Sequence, residues 1–111
     1  MAKHKKTADE ITPAILIHPG EMIKDELEAR GMTQKDLANK LGISYTVFNE
    51  VLNGKRPVST ELALMLEALW GIDAHIWLKL QANYNMGSKR KDKAFMQHLQ
   101  ELKNMAAASL L

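Results

Sequence analysis

The chain has 111 residues, of which 46% are hydrophobic, and this length suits one compact domain with short tails. It contains no cysteine, which excludes disulfides and thiolate metal sites, and its formal charge of +2 is too small to identify a nucleic-acid partner alone. No apolar run reaches the ~18 residues that cross a bilayer, and no apolar signal core follows the basic start, so we expect a cytoplasmic protein without a membrane partner.

Residues 1–18 are interpreted as an N-terminal arm. Lysines make its first residues basic, and Pro13 argues against a helix. The stretch Ile15–Ile17 is compatible with a short strand or with an arm that lies on the domain. His18 is expected to be a helix N-cap or a surface group.

The first helix is predicted to begin at Pro19, because proline in a first turn has no amide hydrogen to leave unpaired and its φ is already helical. Glu21 then lies near the positive end of the helix dipole. Gly31 is expected to close the helix with a left-handed cap. The residues expected to face inward are Met22, Ile23 and Leu27.

A second helix is predicted after Thr33, which has the spacing of a capping box with Asp36, and Gly42 ends it. A third helix follows the N-cap Ser44 and ends at Asn53–Gly54. The residues predicted to face the core from these two helices are Leu37, Ala38, Leu41, Phe48, Val51 and Leu52.

A fourth helix is predicted from the cap Ser59 to Gly71, and it is apolar on most sides. Such a helix is buried in its own domain or by a second subunit. Asp73 caps a fifth helix, whose inward stripe is predicted to be Ile76, Trp77, Leu80 and Tyr84, with Leu78 pointing elsewhere. Met86–Gly87–Ser88 is interpreted as a break in this helix.

Residues 87–111 are predicted to be a tail that forms a separate amphipathic helix. Its apolar stripe is Phe95, Leu99, Leu102 and Ala106. Three interpretations stay open: the stripe packs on its own domain, extends a dimer interface, or binds a protein partner. The predicted organisation is an arm at 1–18, a helical domain at 19–86 and the tail at 87–111.

The segment QKDLANKLGISYTVFNEVL, residues 34–52, joins two short helices by a tight glycine turn. Ala38 permits a close approach of the two helices, and Ile43 fills the core between them. This arrangement is typical of a helix-turn-helix, which projects its second helix outward to fit the DNA major groove.

The outward side of the third helix carries short hydrogen-bonding side chains that suit contacts to base edges. Those residues are Ser44, Tyr45, Thr46, Val47, Asn49 and Glu50. Phosphate contacts are expected from Gln34, Lys55 and Arg56, and also from Asn53. Between Gly31 and Val58, four cations face two carboxylates, a local charge of +2.

The stretch MTQKDLANKLGISYTVFNEVLNGKR resembles the Xre/Cro-type helix-turn-helix of phage repressors and bacterial regulators. The wider chain, over about residues 18–86, is similar to the HigA/VapI antitoxins. The segments that carry this likeness are HPGEMIKDELEARGMTQKDLANKLGIS, NGKRPVSTELALMLEALWG and WLKLQANYNM. Matched by position, the residues at DNA-contacting places are Gln34, Ser44, Tyr45, Thr46, Asn49, Glu50, Asn53 and Lys55.

The resemblance implies an all-α, five-helix lambda-repressor-like domain with an additional C-terminal amphipathic helix. It also implies a homodimer, joined largely through the fourth and fifth helices, that binds a palindromic DNA operator, represses its own operon and neutralises a partner ribonuclease toxin. The alternatives are an Xre-type regulator without a toxin partner and a protein-interaction module that has lost DNA binding.

The sequence contains no pattern that indicates a catalytic site or a cofactor site. The four histidines lack metal-ligand spacing, and the glycines are explained as helix ends rather than as a phosphate loop. We therefore expect no enzymatic activity, no metal and no cofactor.

Overall fold

The computed structural model describes residues 16–109, and this part of the chain is all-helical. The predicted basic start, Pro13 and Ile15 lie outside the described residues, as do residues 110–111. The all-α prediction is confirmed. The helices are α1 Pro19–Ala29, α2 Gln34–Leu41, α3 Tyr45–Leu52, α4 Thr60–Trp70, α5 Ala74–Lys89 and α6 Lys93–Ser109.

The described residues belong to two compact units. One is Ile17–Tyr84, and the other contains Leu16 together with residues 85–109. The first unit holds α1 to α4 and most of α5, and the second holds the end of α5 and α6. The predicted division at 1–18, 19–86 and 87–111 stays a prediction.

The predicted helix starts are confirmed by their caps. The Thr33 Oγ1 accepts from the Asp36 N–H at 3.0 Å, and Asp36 Oδ2 accepts from the Thr33 N–H, which completes the capping box. Ser59 Oγ accepts from the Leu62 N–H at 3.1 Å. Asp73 Oδ1 accepts from the His75 N–H at 2.8 Å, and this backbone hydrogen bond is the main reason that the pKa of Asp73 is lowered. Each cap satisfies an amide that the first turn of the helix leaves without a partner.

The core of the unit Ile17–Tyr84 is formed where α1, α2, α3, α4 and α5 meet. Its fully buried side chains include Ile23, Leu37, Phe48, Leu52 and Leu66. Burial of each such side chain stabilises the fold by about 1.5–3 kcal/mol relative to exposure. Through this core, α2 and α3 pack against α1, α4 and α5.

Three predictions about which side chains face inward are wrong. Met22 is 40% exposed and Ile76 is 51% exposed, whereas Leu78 packs against the core. In the part of α5 that belongs to the unit Ile17–Tyr84, the buried positions are Ala74, Trp77 and Gln81. The stripe was mispredicted because Gln81 is polar: its Oε1 accepts from the Val58 N–H at 2.7 Å, so the buried face includes a side chain that the hydrophobic pattern omits.

The α4 helix is buried on one side only. Leu62, Ala63 and Leu66 are buried, but Leu64 is 51% and Leu69 42% exposed. The sequence predicted that α4 is buried in its own domain or by a second subunit. Its own domain buries only part of the apolar surface of the helix.

The predicted break at Met86–Gly87–Ser88 is wrong, because α5 continues to Lys89. Gly87 is buried, and a Cβ built on it would overlap the Leu16 Cδ2. Glycine at this position permits close packing rather than a turn, and that packing offsets its helix penalty of about 1 kcal/mol.

The tail helix α6 begins later than predicted, at Lys93, with the Asp92 Oδ1 accepting from the Phe95 N–H at 3.1 Å. None of its described residues is buried: Phe95 and Leu99 are half-buried, and Leu102 is 43% exposed. Among residues 16–109, no helix is both long enough and apolar enough to span a membrane.

Candidate nucleic-acid interface

The turn between α2 and α3 is built on Gly42, which has a φ of +73°. A side chain would strain this left-handed conformation, and glycine adopts it without that cost. The Ile43 N–H then donates to the Ala38 carbonyl at 3.1 Å, and Ser44 begins α3 as its cap. Three consecutive residues therefore end one helix, connect it and begin the next.

The inner face of α3 anchors the helix to the core. Phe48 and Leu52 are fully buried and Val51 is 4% exposed, while Ala38 of α2 is 1% exposed. Alanine provides the short side chain that a close approach of two helices requires. These residues hold α3 against the domain along one side only.

The outer face of α3 is open to solvent, as predicted. Tyr45 is 48% and Val47 37% exposed, and Ser44 and Thr46 are also exposed. The Ser44 Oγ accepts from the Val47 N–H at 3.0 Å, so this hydroxyl stabilises the first turn of the helix. The face thus presents the Tyr45 phenol, the Thr46 hydroxyl and the two Val47 methyl groups to solvent, and none of these groups is needed in the core.

Three amide side chains form a ladder along one edge of this face. The Asn49 Nδ2 donates to the Gln34 Oε1 at 2.9 Å, and the Asn53 Nδ2 donates to the Asn49 Oδ1 at 3.1 Å. Each amide nitrogen has two hydrogens and each amide oxygen has two lone pairs, so Asn49 retains one donor and one acceptor. That pair is what an asparagine uses to bind the edge of adenine.

The loop after α3 carries two cations, and both are exposed. The Lys55 N–H donates to the Glu50 carbonyl at 2.8 Å, which folds the loop back on the end of α3. The Arg56 guanidinium forms an ion pair with the Glu50 carboxylate. Arg56 is 52% and Glu50 37% exposed, so solvent and salt screen this pair.

The structure brings the predicted site residues to the outer side of α3 and to the two segments that flank it, the start of α2 and the loop after α3. Sequence reasoning missed the amide ladder and the Arg56–Glu50 pair. Asn49 and Asn53 are separated by four residues in a helix, and that spacing is a sequence signal for their hydrogen bond. The Gln34–Asn49 contact joins two helices and has no such local signal.

Comparison with known proteins gives the family. A helix-turn-helix family model matches residues 23–75. Virulence-associated protein I of Dichelobacter nodosus is 35% identical over 78 residues, which cover 69% of this chain and 72% of that protein. The solved structure of an addiction module antidote protein of the HigA family from Coxiella burnetii is 32% identical with a TM-score of 0.67, covering 76% of this chain and 89% of that one. The chain belongs to the HigA family of helix-turn-helix antitoxins.

A second HigA structure is similar at greater sequence distance. The Pseudomonas aeruginosa antitoxin HigA, solved with the higBA promoter, is 25% identical with a TM-score of 0.65, and the match covers 81% of this chain and 94% of that one. The HigA assignment confirms the predicted family and the lambda-repressor-like fold. It also identifies the chain as a DNA-binding, antitoxin-like protein.

Trp70 of α4 and Trp77 of α5 have structural roles. Trp77 is 2% exposed, and the Arg30 guanidinium lies 4.9 Å from the Trp70 ring centroid. Within residues 16–109, no three or more His, Asp or Glu side chains converge on a site for a metal ion.

Proposed function

We propose that this HigA-family chain is a cytoplasmic antitoxin and autorepressor that binds a palindromic operator as a homodimer and neutralises a partner ribonuclease toxin. The observation that carries the DNA-binding part is the outward face of α3, anchored by Phe48 and Val51 and flanked by exposed cations. The relative from Pseudomonas aeruginosa, solved with its promoter, supports the same use of this fold.

Each predicted site residue receives a role in this proposal. Asn49 reads adenine with its remaining donor and acceptor, Glu50 accepts from cytosine, and Val47 with the Thr46 methyl contacts a thymine methyl. Ser44 and Tyr45 contact the DNA bases next to these. The residues assigned to phosphates are Gln34, Asn53, Lys55 and Arg56.

Operator binding has a direct test in fluorescence anisotropy with DNA from upstream of the chain's own reading frame, at two salt concentrations. Lys55→Ala should weaken binding to cognate and unrelated duplexes alike and should reduce the salt slope by about 1. Lys79→Ala is the matched control, because Lys79 is an exposed lysine of α5 outside the proposed interface. Equal binding by the wild-type chain and the Lys55 variant contradicts the assignment of Lys55.

Toxin neutralisation needs a separate test, since DNA binding alone does not distinguish an antitoxin from an Xre-type regulator. The protein encoded next to this chain should be expressed with and without it. A rise in cell growth and recovery of a stable complex support the antitoxin proposal. Failure of every neighbouring protein to bind, with operator binding intact, favours the plain regulator. Failure of both tests favours an interaction module that has lost DNA binding.

The homodimer is tested by light scattering at a concentration series. An exposed apolar surface on α4, which includes Leu64 and Leu69, supports a second copy as its cover. Leu64→Glu should shift the chain toward the monomer and should weaken binding to a full palindrome more than to a half-site. A dimer that is unaffected by Leu64→Glu contradicts this interface.

A further inference from the structure

His18 lies buried directly before α1, with only 5% of the residue exposed. Its Nδ1 accepts from the Gly20 N–H at 2.9 Å, which makes His18 the N-cap of α1. Serine, threonine, aspartate and asparagine are the usual residues for this task, and each caps a helix from a shorter side chain. The imidazole therefore reaches further than capping requires.

The rest of the ring lies against the loop that follows α3. A Cβ built on Gly54 would stand 3.6 Å from the His18 Cγ, so the backbone of Gly54 packs on the imidazole. Burial lowers the pKa of His18, and a backbone hydrogen bond to Arg56 partly opposes that shift. A bond that raises a histidine pKa is one in which the ring donates, so the acceptor is the Arg56 carbonyl.

The ring also contacts α5. The centroids of the His18 and Tyr84 rings are 4.9 Å apart, and the rings meet edge to face at 79°. Edge-to-face pairs of this kind contribute about 0.5–1.5 kcal/mol beyond their area burial. One side chain thus joins the start of α1, the loop from Asn53 to Arg56 and the fifth helix.

The two polar contacts of the ring determine its protonation. Because the Nδ1 accepts from the Gly20 N–H, this nitrogen carries no proton, and the proton of the neutral ring is on Nε2. The neutral ring can accept at one end and donate at the other, and a protonated ring cannot accept. The bridge from α1 to the Arg56 backbone is therefore specific to this tautomer.

We propose that His18 is a positioning residue for DNA binding: its imidazole holds the Asn53–Arg56 loop so that the Lys55 and Arg56 side chains meet the DNA backbone. This inference rests on the proposed phosphate role of the loop. His18 itself does not touch DNA. It acts by the placement of the loop backbone, whereas a simple cap acts only on the stability of α1.

The test separates capping from positioning. His18→Ser keeps a capping oxygen but removes the ring that contacts Gly54, Arg56 and Tyr84. At a temperature well below unfolding, His18→Ser should weaken DNA binding and lower the salt slope by about 1 to 2, the contribution of the two loop cations. In a Lys55→Ala, Arg56→Ala background, the same substitution should change affinity by less than about twofold, since the contacts it affects are already gone.

Each result has one meaning. Equal weakening by His18→Ser in both backgrounds, or weakening without a change in salt slope, overturns the positioning role. If Lys55→Ala and Arg56→Ala lose affinity but His18→Ser binds like wild type, only the positioning role of His18 fails. If the loop variants themselves bind like wild type, the phosphate assignment fails and the positioning role falls with it.

A measurement on the wild-type chain covers the case in which His18→Ser does not fold. The ¹⁵N NMR shifts of the imidazole should identify an unprotonated Nδ1 and a protonated Nε2 at neutral pH, in the free protein and in the DNA complex. A proton on Nδ1 in either state overturns the proposal, because the ring would then not bridge α1 and the loop in the manner described.

Discussion

The Asn49 carboxamide donates to the Gln34 Oε1 across 2.9 Å and so connects the middle of α3 to the first residue of α2. This contact crosses the turn of the helix-turn-helix and restricts the rotamers of both amides. A side chain that is already oriented loses less conformational entropy when it binds a base. The amide ladder therefore preorganises the side chains of α3 for DNA binding.

Asn49→Ala should weaken operator binding by about 1 to 3 kcal/mol, and the loss should be concentrated at particular base pairs. The measurement is competition binding against operators that each carry one base-pair change. At the base pair that Asn49 reads, the variant should no longer discriminate. Uniform weakening across all competitors would assign Asn49 to the backbone instead.

Gln34→Ala should reproduce part of the Asn49→Ala defect, because it removes the acceptor that orients Asn49. In a double-mutant cycle the two substitutions should be non-additive, with an interaction energy of about 0.5 kcal/mol or more. The control is Asn39→Ala, which removes an exposed amide side chain from the same helix. Additive losses for Gln34 and Asn49 would mean that the hydrogen bond is irrelevant to binding.

Glu50→Gln should strengthen binding to unrelated DNA, since it removes the carboxylate that pairs with Arg56. The Arg56 guanidinium then meets a phosphate without first giving up its ion pair, so affinity should rise while the salt slope, which already includes Arg56, changes by less than about 0.9. Glu28→Gln, an exposed glutamate of α1, provides the matched loss of charge. An affinity for unrelated DNA that rises no more for Glu50→Gln than for Glu28→Gln would show that the Arg56–Glu50 pair does not oppose contact with the DNA backbone.

Gly20→Ala should destabilise the fold by about 3 kcal/mol, because the added Cβ would overlap the Val51 carbonyl oxygen and lie against the Leu52 backbone. Gly31→Ala adds the same methyl group in open space and meets only the strain of a φ of +66°, about 1 to 2 kcal/mol. Urea unfolding at pH 7 gives both values. If the order is reversed, α1 does not pack on α3 as closely as described.

Stability should fall as the pH is lowered below about 6.5, the ordinary pKa of histidine. Burial lowers the pKa of His18 in the folded chain, so below that pH the unfolded chain binds a proton that the folded chain does not. The contribution of neutral His18 to the free energy of unfolding is complete above pH 6.5, and it is lost progressively as the pH falls toward the pKa of His18 in the folded chain. The slope from this one group is at most about 1.4 kcal/mol per pH unit.

Urea midpoints at pH 7.5 and pH 5.5 check this expectation, with His18→Ser as the control. The wild-type midpoint should drop more than that of the variant. Parallel drops in the two proteins would exclude His18 as the source of the pH dependence.

Local signals in the sequence were enough to predict five of the helix starts. Thr33 with Asp36, Ser44, Ser59 and Pro19 each act through hydrogen bonds or backbone angles within one helical turn, and the structure confirms all of them. Asp73 is confirmed in the same way. A cap requires only neighbours in the chain, which is why the sequence alone reveals it.

Contacts between distant residues account for what the sequence did not reveal. The buried Gln81 amide accepts from the Val58 N–H, 23 residues away, and Leu16 packs where a side chain on Gly87 would lie. The Gln34–Asn49 bond and the position of His18 beside Gly54 have the same origin. In each case tertiary packing overrides a local preference, and no periodicity in the sequence records it.

A titration of ¹⁵N-labelled protein with its operator duplex, followed by NMR, tests most directly that α3 reads DNA. We predict the largest shifts at the side-chain amides of Gln34, Asn49 and Asn53 and at the backbone from Ser44 to Glu50 and from Asn53 to Arg56, with smaller changes in the buried residues of α1. Shifts that centre on α4 or α6 while the resonances of α3 stay unchanged would show that α3 does not read the operator.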